Sequence, residues 1–558
     1  MPQVDVPAFK SLNTTSNPRS ADPLDLLDAL NMVWDGNRVK SRLGSSLFKN
    51  TDQSNWGRVE RLVQFKKLGD SFFYVVAVLS SGRVFYIKSN NANYGTASAT
   101  WTEINNPSSG TPALAANATR YAVFGFNNLL YFADSTNGYF SWNGTDADLT
   151  AETDPTNLST NNIVAFADKS SRLVALDDGG RTHLSGINDG TDFTGAGTGS
   201  LNYGRVEGLR ATNLIPFGDD ILITTEDQLT LRFQTYRLIG IQFFDPTVAG
   251  TDTSQFEVRK VNSIAGMIGD SAQEIADDTI GLTPRGVIGI QKALQAVNLT
   301  ERDFISFPIK EIIAEINFVK ADKIRSVVDY VNGRYMLAVP FGEDAQEANI
   351  ILVYDFLRSS ASEGIYRWTV WTFAFGEIGT LGVIAGVPYV TDIDGNIYKL
   401  NDSDANYADN SLAIQYLVKT AGIGGQQTGI MKNFGEMVVL FTDLSTTKFD
   451  MNVNIIKDGQ LIAEDEDGDT VKMTSIEQLP IGLKYDTPGV NYDDFNYYDS
   501  GSDQRLVNFI NKGGRCQSAQ WVFSTNTTGV SWGIGGFSVF YEAEETVKQG
   551  GLNNYGDI

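Results

Sequence analysis

One cysteine, Cys516, and one histidine, His183, are all that this 558-residue chain holds of either residue. A single cysteine excludes an internal disulfide and a thiolate metal cage. A single histidine leaves little for chemistry built on paired imidazoles or on a histidine-activated nucleophile. His183 lies in RTHLSG, a strand-like stretch with no nucleophile motif around it, and the chain has neither a Gly-x-Ser-x-Gly elbow nor a Walker loop. Long apolar runs are missing too: nothing approaches the ~20 residues that span a bilayer, so no membrane span is expected. Basic charge is scarce, with 43 Lys and Arg against 67 Asp and Glu and a formal net charge of −24. That balance disfavours a surface that grips phosphates, while it does not exclude a channel through which DNA passes without sticking. The opening residues, MPQVDVPA, carry no basic-then-apolar signal, so synthesis in the cytoplasm without secretory targeting is expected.

Glycine and aromatics are plentiful, with 54 Gly, 22 Tyr and 32 Phe, and 42% of the residues are hydrophobic. This is the profile of a β-rich protein with real cores, and the length calls for more than one domain. From Gln64 to Leu400 short apolar runs alternate with turn signals. Phe72–Leu79 turns at Ser80–Gly82 into Val84–Ile87, and Tyr121–Phe126 turns at Asn127-Asn128 into Leu129–Ala133. The pattern recurs at Ile163–Ala167 with Leu173–Leu176, Ile221–Thr224 with Leu229–Phe233, Thr279–Leu282 with Val287–Ile290, Val331–Val339 with Asn349–Asp355, and Gly382–Thr391 with Ile397–Leu400. A spacing of roughly 40–60 residues predicts a β-propeller of about six or seven blades. A string of β-sandwich domains is the alternative. The chain is therefore all-β, divided as an N-terminal arm with a basic hairpin over 1–60, a propeller-like body over 61–402, and a C-terminal β-sandwich with a polar tail over 403–558. Asn401–Asn410 reads as the linker, and Gly435–Phe441, Phe449–Ile456, Ala519–Ser524 and Gly536–Tyr541 as sandwich strands.

Two stretches read as helical. In PLDLLDAL, Pro23–Leu30, Asp22 stands as a cap with Pro23 at the first helical position. In Pro308–Phe318, Ile309, Ile312, Ile313 and Ile316 make one apolar stripe at helical spacing.

Candidate contact residues come from charge pattern. In NMVWDGNRVKSRLG, Asn31–Gly44, an Asp-Gly turn is followed by Arg38, Lys40 and Arg42, a basic hairpin in an acidic chain. It serves either to dock a partner or to close the first blade; the docking reading expects that removal of residues 1–44 leaves a folded body that no longer assembles. Glu464, Asp465, Glu466, Asp467 and Asp469, in AEDEDGDT, form a candidate acidic loop facing a channel or a partner. Neither this loop nor TDIDGNIY at Thr391–Tyr398 fits the twelve-residue calcium pattern, and Asp394-Gly395 is explained as a hairpin turn. GIGGQQTG at Gly422–Gly429 lacks the phosphate-loop Lys-Ser/Thr and reads as a loop. Asn-x-Ser/Thr sequons at Asn13, Asn117, Asn143, Asn157, Asn298 and Asn526 are what an Asn- and Thr-rich chain holds by chance. No catalytic, cofactor or metal residue is assigned; paired carboxylates of a glycosidase type leave no mark in sequence.

Several stretches resemble the tail hub or nozzle proteins of short-tailed bacteriophages and their propeller relatives. DALNMVWDGNRVKSRLG (Asp28–Gly44) resembles their start. HLSGINDGTDFTG (His183–Gly195) resembles a blade-ending stretch, and FGDDILITTEDQLTLRF (Phe217–Phe233) a recurrent hairpin. NIILVYDFLRSSASEGIYRWTVWT (Asn349–Thr372) resembles a blade with a Trp-containing return, and VTDIDGNIYKL (Val390–Leu400) a closing hairpin. KNFGEMVVLF (Lys432–Phe441) and GFSVFYE (Gly536–Glu542) resemble the sandwich that follows. The resemblance covers about two-thirds of the chain and rests on the order of the pieces. It implies a virion tail component without catalytic residues: a homo-oligomeric ring, taken as a hexamer, beneath portal and adaptor proteins. Such a ring retains the packaged genome, lets the DNA pass without specific binding, and offers a docking site for fibres or spikes. The competing readings are a propeller that binds or cleaves polysaccharide, suited by 11% aromatic residues, and a cellular interaction scaffold, for which strict blade repeats would be expected.

Overall fold

The computed structural model of the chain describes residues 3–15, 17, 21–49, 56–104, 113–134, 136–152, 163–169, 171–177, 181–195, 198–202, 211–217, 220–225, 230–235, 256–262, 266–275, 278–295, 298–424, 430–462, 472–476, 505–510 and 515–543. It divides into two units. One comprises Ser45–Leu357 and Phe375–Asp402; the other is discontinuous, made of Met1–Gly44, Arg358–Ala374 and Ser403–Ile558.

The first unit is a β-propeller. Four four-stranded antiparallel sheets follow one another, opening with Val59–Phe65, Tyr121–Phe126, Ile163–Lys169 and Ala211–Phe217. A three-stranded sheet (Gln273–Ile275, Asp278–Thr283, Gly286–Gly289) comes next, then Arg325–Asp329 with Arg334–Val339 and Ile350–Ser360, then Ile378–Ile384 with Val387–Asp392 and Ile397–Asp402. Among the described residues these are seven sheets, and the opening strand of each lies beside that of the next, the seventh beside the first, in a closed ring. Gly44–Lys49, from ahead of the first blade, pairs with Ile397–Asp402 and completes the seventh blade. The first and last strands of the propeller unit thus share one sheet, which closes the ring by hydrogen bonding and leaves no long open edge there. Ser46 Oγ donates to the Asp402 carboxylate at this seam.

Alternation along the strands explains the layers. Residues i and i+2 face one side of a blade, so each blade presents one apolar face to each neighbour. Phe65, Tyr74 and Val76 meet Phe132 and Trp142 between the first two blades. Tyr131 and Tyr139 meet Phe166 and Phe193 in the next gap, and Phe48, Trp101, Tyr389 and Ile397 fill the gap between the seventh and the first. The predicted helix exists as a turn of 3-10 helix at Phe307–Ile309 running into Lys310–Ala314, with Ile309, Ile313 and Ile316 buried. Gly382–Thr391 is broken by a turn that its apolar run conceals, since Ala385 and Gly386 both take positive φ between the strands Ile378–Ile384 and Val387–Asp392.

The second unit is a two-sheet sandwich. One sheet runs Met32–Asp35, Arg38–Ser41, Gly533–Ala543, Lys432–Thr442, Arg505–Ile510, with Gln3–Val6 on the flank of Gly533–Ala543. Within the unit the other runs Ile365–Trp371, Leu26–Leu30, Tyr416–Thr420, Ala519–Thr525, Phe449–Lys457, Gln460–Ile462. Trp521 of the second sheet packs on Phe434 and Phe537 of the first, with ring centroids 5.8 and 5.9 Å apart.

Two expectations are corrected here. The residues assigned to an N-terminal arm supply strands to both sandwich sheets: Gln3 pairs with Phe540 and Leu26 with Thr420. Pro23–Leu30 is not helical either; Leu26–Leu30 is a strand, and Asp22 accepts from the Leu24 N–H in a turn. Both corrections have one cause, because the partners that select the strand lie hundreds of residues away and override local propensity. Removal of residues 1–44 is therefore expected to unfold or aggregate the sandwich instead of leaving it intact. Far-UV circular dichroism with analytical ultracentrifugation of the truncated chain checks this; a monodisperse, natively folded product would contradict it.

Candidate functional site

The basic hairpin forms as the sequence suggests. Met32–Asp35 and Arg38–Ser41 pair with Asp35 opposite Arg38, and Gly36 takes φ +62 at the first turn position, where a side chain is disfavoured. Its three cations have different fates. Arg38 is half-buried and pairs with Asp35 at 3.0 Å. Lys40 bridges Asp35 at 3.3 Å and Asp443 at 3.1 Å. Partial burial pushes the Asp35 carboxyl up, but Lys40 and Arg38 outweigh it and hold it below its usual value.

Arg42 is a brace inside the sandwich, which corrects its assignment as a partner contact. Its side chain is 1% exposed. The guanidinium donates to Asp409 Oδ1 at 3.0 Å, to the Thr372 carbonyl at 3.0 Å and to Asn31 Oδ1 at 3.1 Å. It also lies over the rings of Trp371 and Phe373, at 5.5 and 4.8 Å from their centroids. Asn31, at φ +57, holds the other end through Thr372 Oγ1 and the Gln415 carbonyl. Asp409 lies within the stretch read as a linker and is equally buried. A charge removed from water needs this degree of satisfaction to be tolerated.

Glu464, Asp465, Glu466, Asp467 and Asp469 lie outside the described residues. His183 sits on a strand of the third blade, buried, with Nε2 2.8 Å from Asp177 Oδ2. Asp394-Gly395 is a hairpin turn, with Gly395 at φ +90 and Asp392 accepting from the Asn396 N–H.

The densest charge constellation was not singled out in the sequence. It lies in the propeller, where the opening strands begin. Arg58, Glu60 and Arg61 flank the start of Val59–Phe65; Arg120 precedes Tyr121–Phe126; Asp270 precedes Gln273–Ile275; Lys323 and Arg325 stand at the start of Arg325–Asp329. Asp270 is the hub. Its carboxylate is 2.8 Å from Arg61 Nη2, 3.1 Å from Arg120 Nη2 and 3.2 Å from Arg325 Nη1. Arg61 and Arg120 belong to the first two blades and Asp270 to the fifth, so these bonds cross the ring and mark the propeller axis. Around the hub, Glu60 lies 3.2 Å from Arg58 and 3.7 Å from Arg325, and Glu347 is shared by Arg58 and, at 3.5 Å, Lys323. Arg58 also reaches the Gly379 carbonyl of the seventh blade. Burial alone would raise the Asp270 carboxyl; Arg120, Arg61 and Arg325 overcome it and hold it far below the usual carboxylate range. Burial, with Arg61 nearby, brings Arg325 down to about 10, which leaves it charged at neutral pH. Sequence carries one faint signal for this cluster: charged residues recur just where an apolar strand begins.

Among the described residues no group of three or more His, Cys, Asp and Glu is placed to hold a metal ion, and no helix is long and apolar enough to cross a membrane. No family model matches the chain, and no curated protein matches it in sequence. Solved structures similar to it include the WD40 β-propeller domain of Doa1, with 11% identity over 64% of this chain and 96% of that one and a TM-score of 0.35. BamB from Moraxella catarrhalis shows 10% identity over 72% and 98%, with a TM-score of 0.34. The computationally designed Ika8 protein shows 13% identity over 70% and 99%, with a TM-score of 0.35.

Proposed function

We propose that this chain is a structural subunit of a short-tailed bacteriophage tail, a hub or nozzle component that works by assembly and not by catalysis. One observation supports the reading above others. The stretches that resemble such proteins coincide with regular elements: the opening strand and hairpin, blade hairpins at Asp220–Thr225 with Thr230–Thr235 and at Val387–Asp392 with Ile397–Asp402, and Lys432–Thr442 paired with Gly533–Ala543 in a sandwich. In this reading copies of the chain form a ring, taken as six, below the portal and adaptor. The net charge of −24 keeps passing DNA from adhering, and fibres or spikes dock on the outside.

The test is immunogold labelling of particles purified from the culture that produces the chain, with antibody raised to the recombinant protein. Gold confined to one vertex, on the tail, is expected. Unlabelled particles, with the protein free in the lysate, would overturn the proposal and bring polysaccharide binding forward, to be read on a glycan array.

A further inference from the structure

The cluster on the propeller axis is not balanced. Five cations (Arg58, Arg61, Arg120, Lys323 and Arg325) face three carboxylates (Glu60, Asp270 and Glu347). Among the described residues one further acid pairs with them: Asp322, 3.8 Å from Lys323 and 57% exposed, so water already screens it. A chain with 24 more acids than bases has no general shortage of carboxylates. The excess of positive charge is a local property of this one end of the axis.

Acceptors are short as well as charge. Among the described residues Arg120 spends one of its five donors, on Asp270. Arg61 spends its Nε on the Tyr121 carbonyl and its Nη2 on Asp270. Arg325 Nε is buried with no hydrogen-bond partner. One acceptor, Glu347 Oε2, also lacks a donor, but its partner oxygen already serves Arg58 and Lys323 on the other flank of the cluster. The side chains retain 11 to 23% of their surface, which keeps them within reach of a small solute and out of reach of a folded partner. Guanidinium groups that converge with unspent planar donors favour an oxyanion, since two parallel N–H bonds match its oxygen spacing.

We propose that this end of the propeller axis is a binding site for a small oxyanion of the phosphate class, held by Arg120 and by the unspent donors of Arg61 and supported by the surplus charge of the cluster. The site does not depend on the tail reading and would stand if that reading failed.

The experiment uses the full chain and inorganic phosphate as the probe, exchanged for chloride at constant ionic strength, with melting temperature followed by scanning fluorimetry. A ligand that binds the folded state raises the midpoint in a saturable way. Saturable stabilisation is expected for the parent chain, with half-effect at a phosphate concentration at least tenfold higher in Arg120→Gln. Arg83→Gln, which removes a cation paired with Glu103 on the first blade, should respond like the parent. If Arg120→Gln does not fold, Arg120→Lys is read in its place; it keeps the charge, loses the planar fork, and should weaken the response several-fold. No saturable response in the parent, or equal responses in parent and Arg120 variants, overturns the proposal.

Discussion

Replacing Asp270 by asparagine is expected to destabilise the propeller by about 3–5 kcal/mol, the usual cost of breaking a buried ion pair from one side. The size follows from what is left behind. Arg61, Arg120 and Arg325 all point at this carboxylate, and without it three guanidinium groups repel one another where little water reaches them. Equilibrium unfolding in urea checks the magnitude; a loss under about 1 kcal/mol would show that solvent screens the cluster as it does a surface pair. The same residue carries a pH signature. Its folded-state pKa is depressed far below the unfolded value of about 3.9. The stabilisation is therefore complete above that unfolded value and is lost as pH falls below it towards the folded pKa. The parent chain should lose stability below about pH 4 more steeply than Asp270→Asn, whose profile should be flatter in that window.

The second large effect is expected in the sandwich. Arg42→Ala should cost about 3–5 kcal/mol, because Asp409 would remain buried without its counter-charge. Arg42→Lys should recover little of it. An ammonium cannot reproduce the fork that serves Asp409, Thr372 and Asn31 together, nor stack as a plane on Trp371 and Phe373. Lys40→Ala, two residues earlier on the same hairpin, is the internal control. Lys40 is 35% exposed, and its loss should cost no more than about 1 kcal/mol. Equal losses at the two positions in the same unfolding assay would sink the distinction between brace and surface pair.

How far the sequence could be read follows from the range of the interactions. Blade hairpins such as Tyr121–Phe126 with Leu129–Asp134 are legible because strand and partner are separated by one turn whose residues, Asn127 and Asn128, tolerate positive φ. Alternation in Phe449–Lys457 and Lys432–Thr442 is equally local, so the sandwich core was visible. The role of the first 44 residues was not, since short strands between polar turns have no period of their own and find their partners at positions such as Thr420 and Phe540. Arg42 looked like its neighbours Arg38 and Lys40 for the same reason: burial of its side chain is decided by Thr372 and Asp409. The axis cluster is the extreme case. Its residues come from several blades, and only ring closure brings Arg61, Arg120 and Asp270 together.

A sandwich assembled from both ends of the chain also sets a clock on biosynthesis. Leu26 pairs with Thr420, so at ~5–20 residues per second the ribosome needs roughly 20–80 s after making Leu26–Leu30 before its antiparallel partner exists. Leu26–Leu30 has no sheet to join until Ile365–Trp371 is made, the hairpin at Met32–Ser41 waits for Gly533–Ala543, and Gly44–Lys49 waits for Ile397–Asp402. The nascent chain therefore carries unpaired strands and apolar side chains such as Trp34 through most of its translation, a state that favours chaperone capture and penalises crowding of copies on one message.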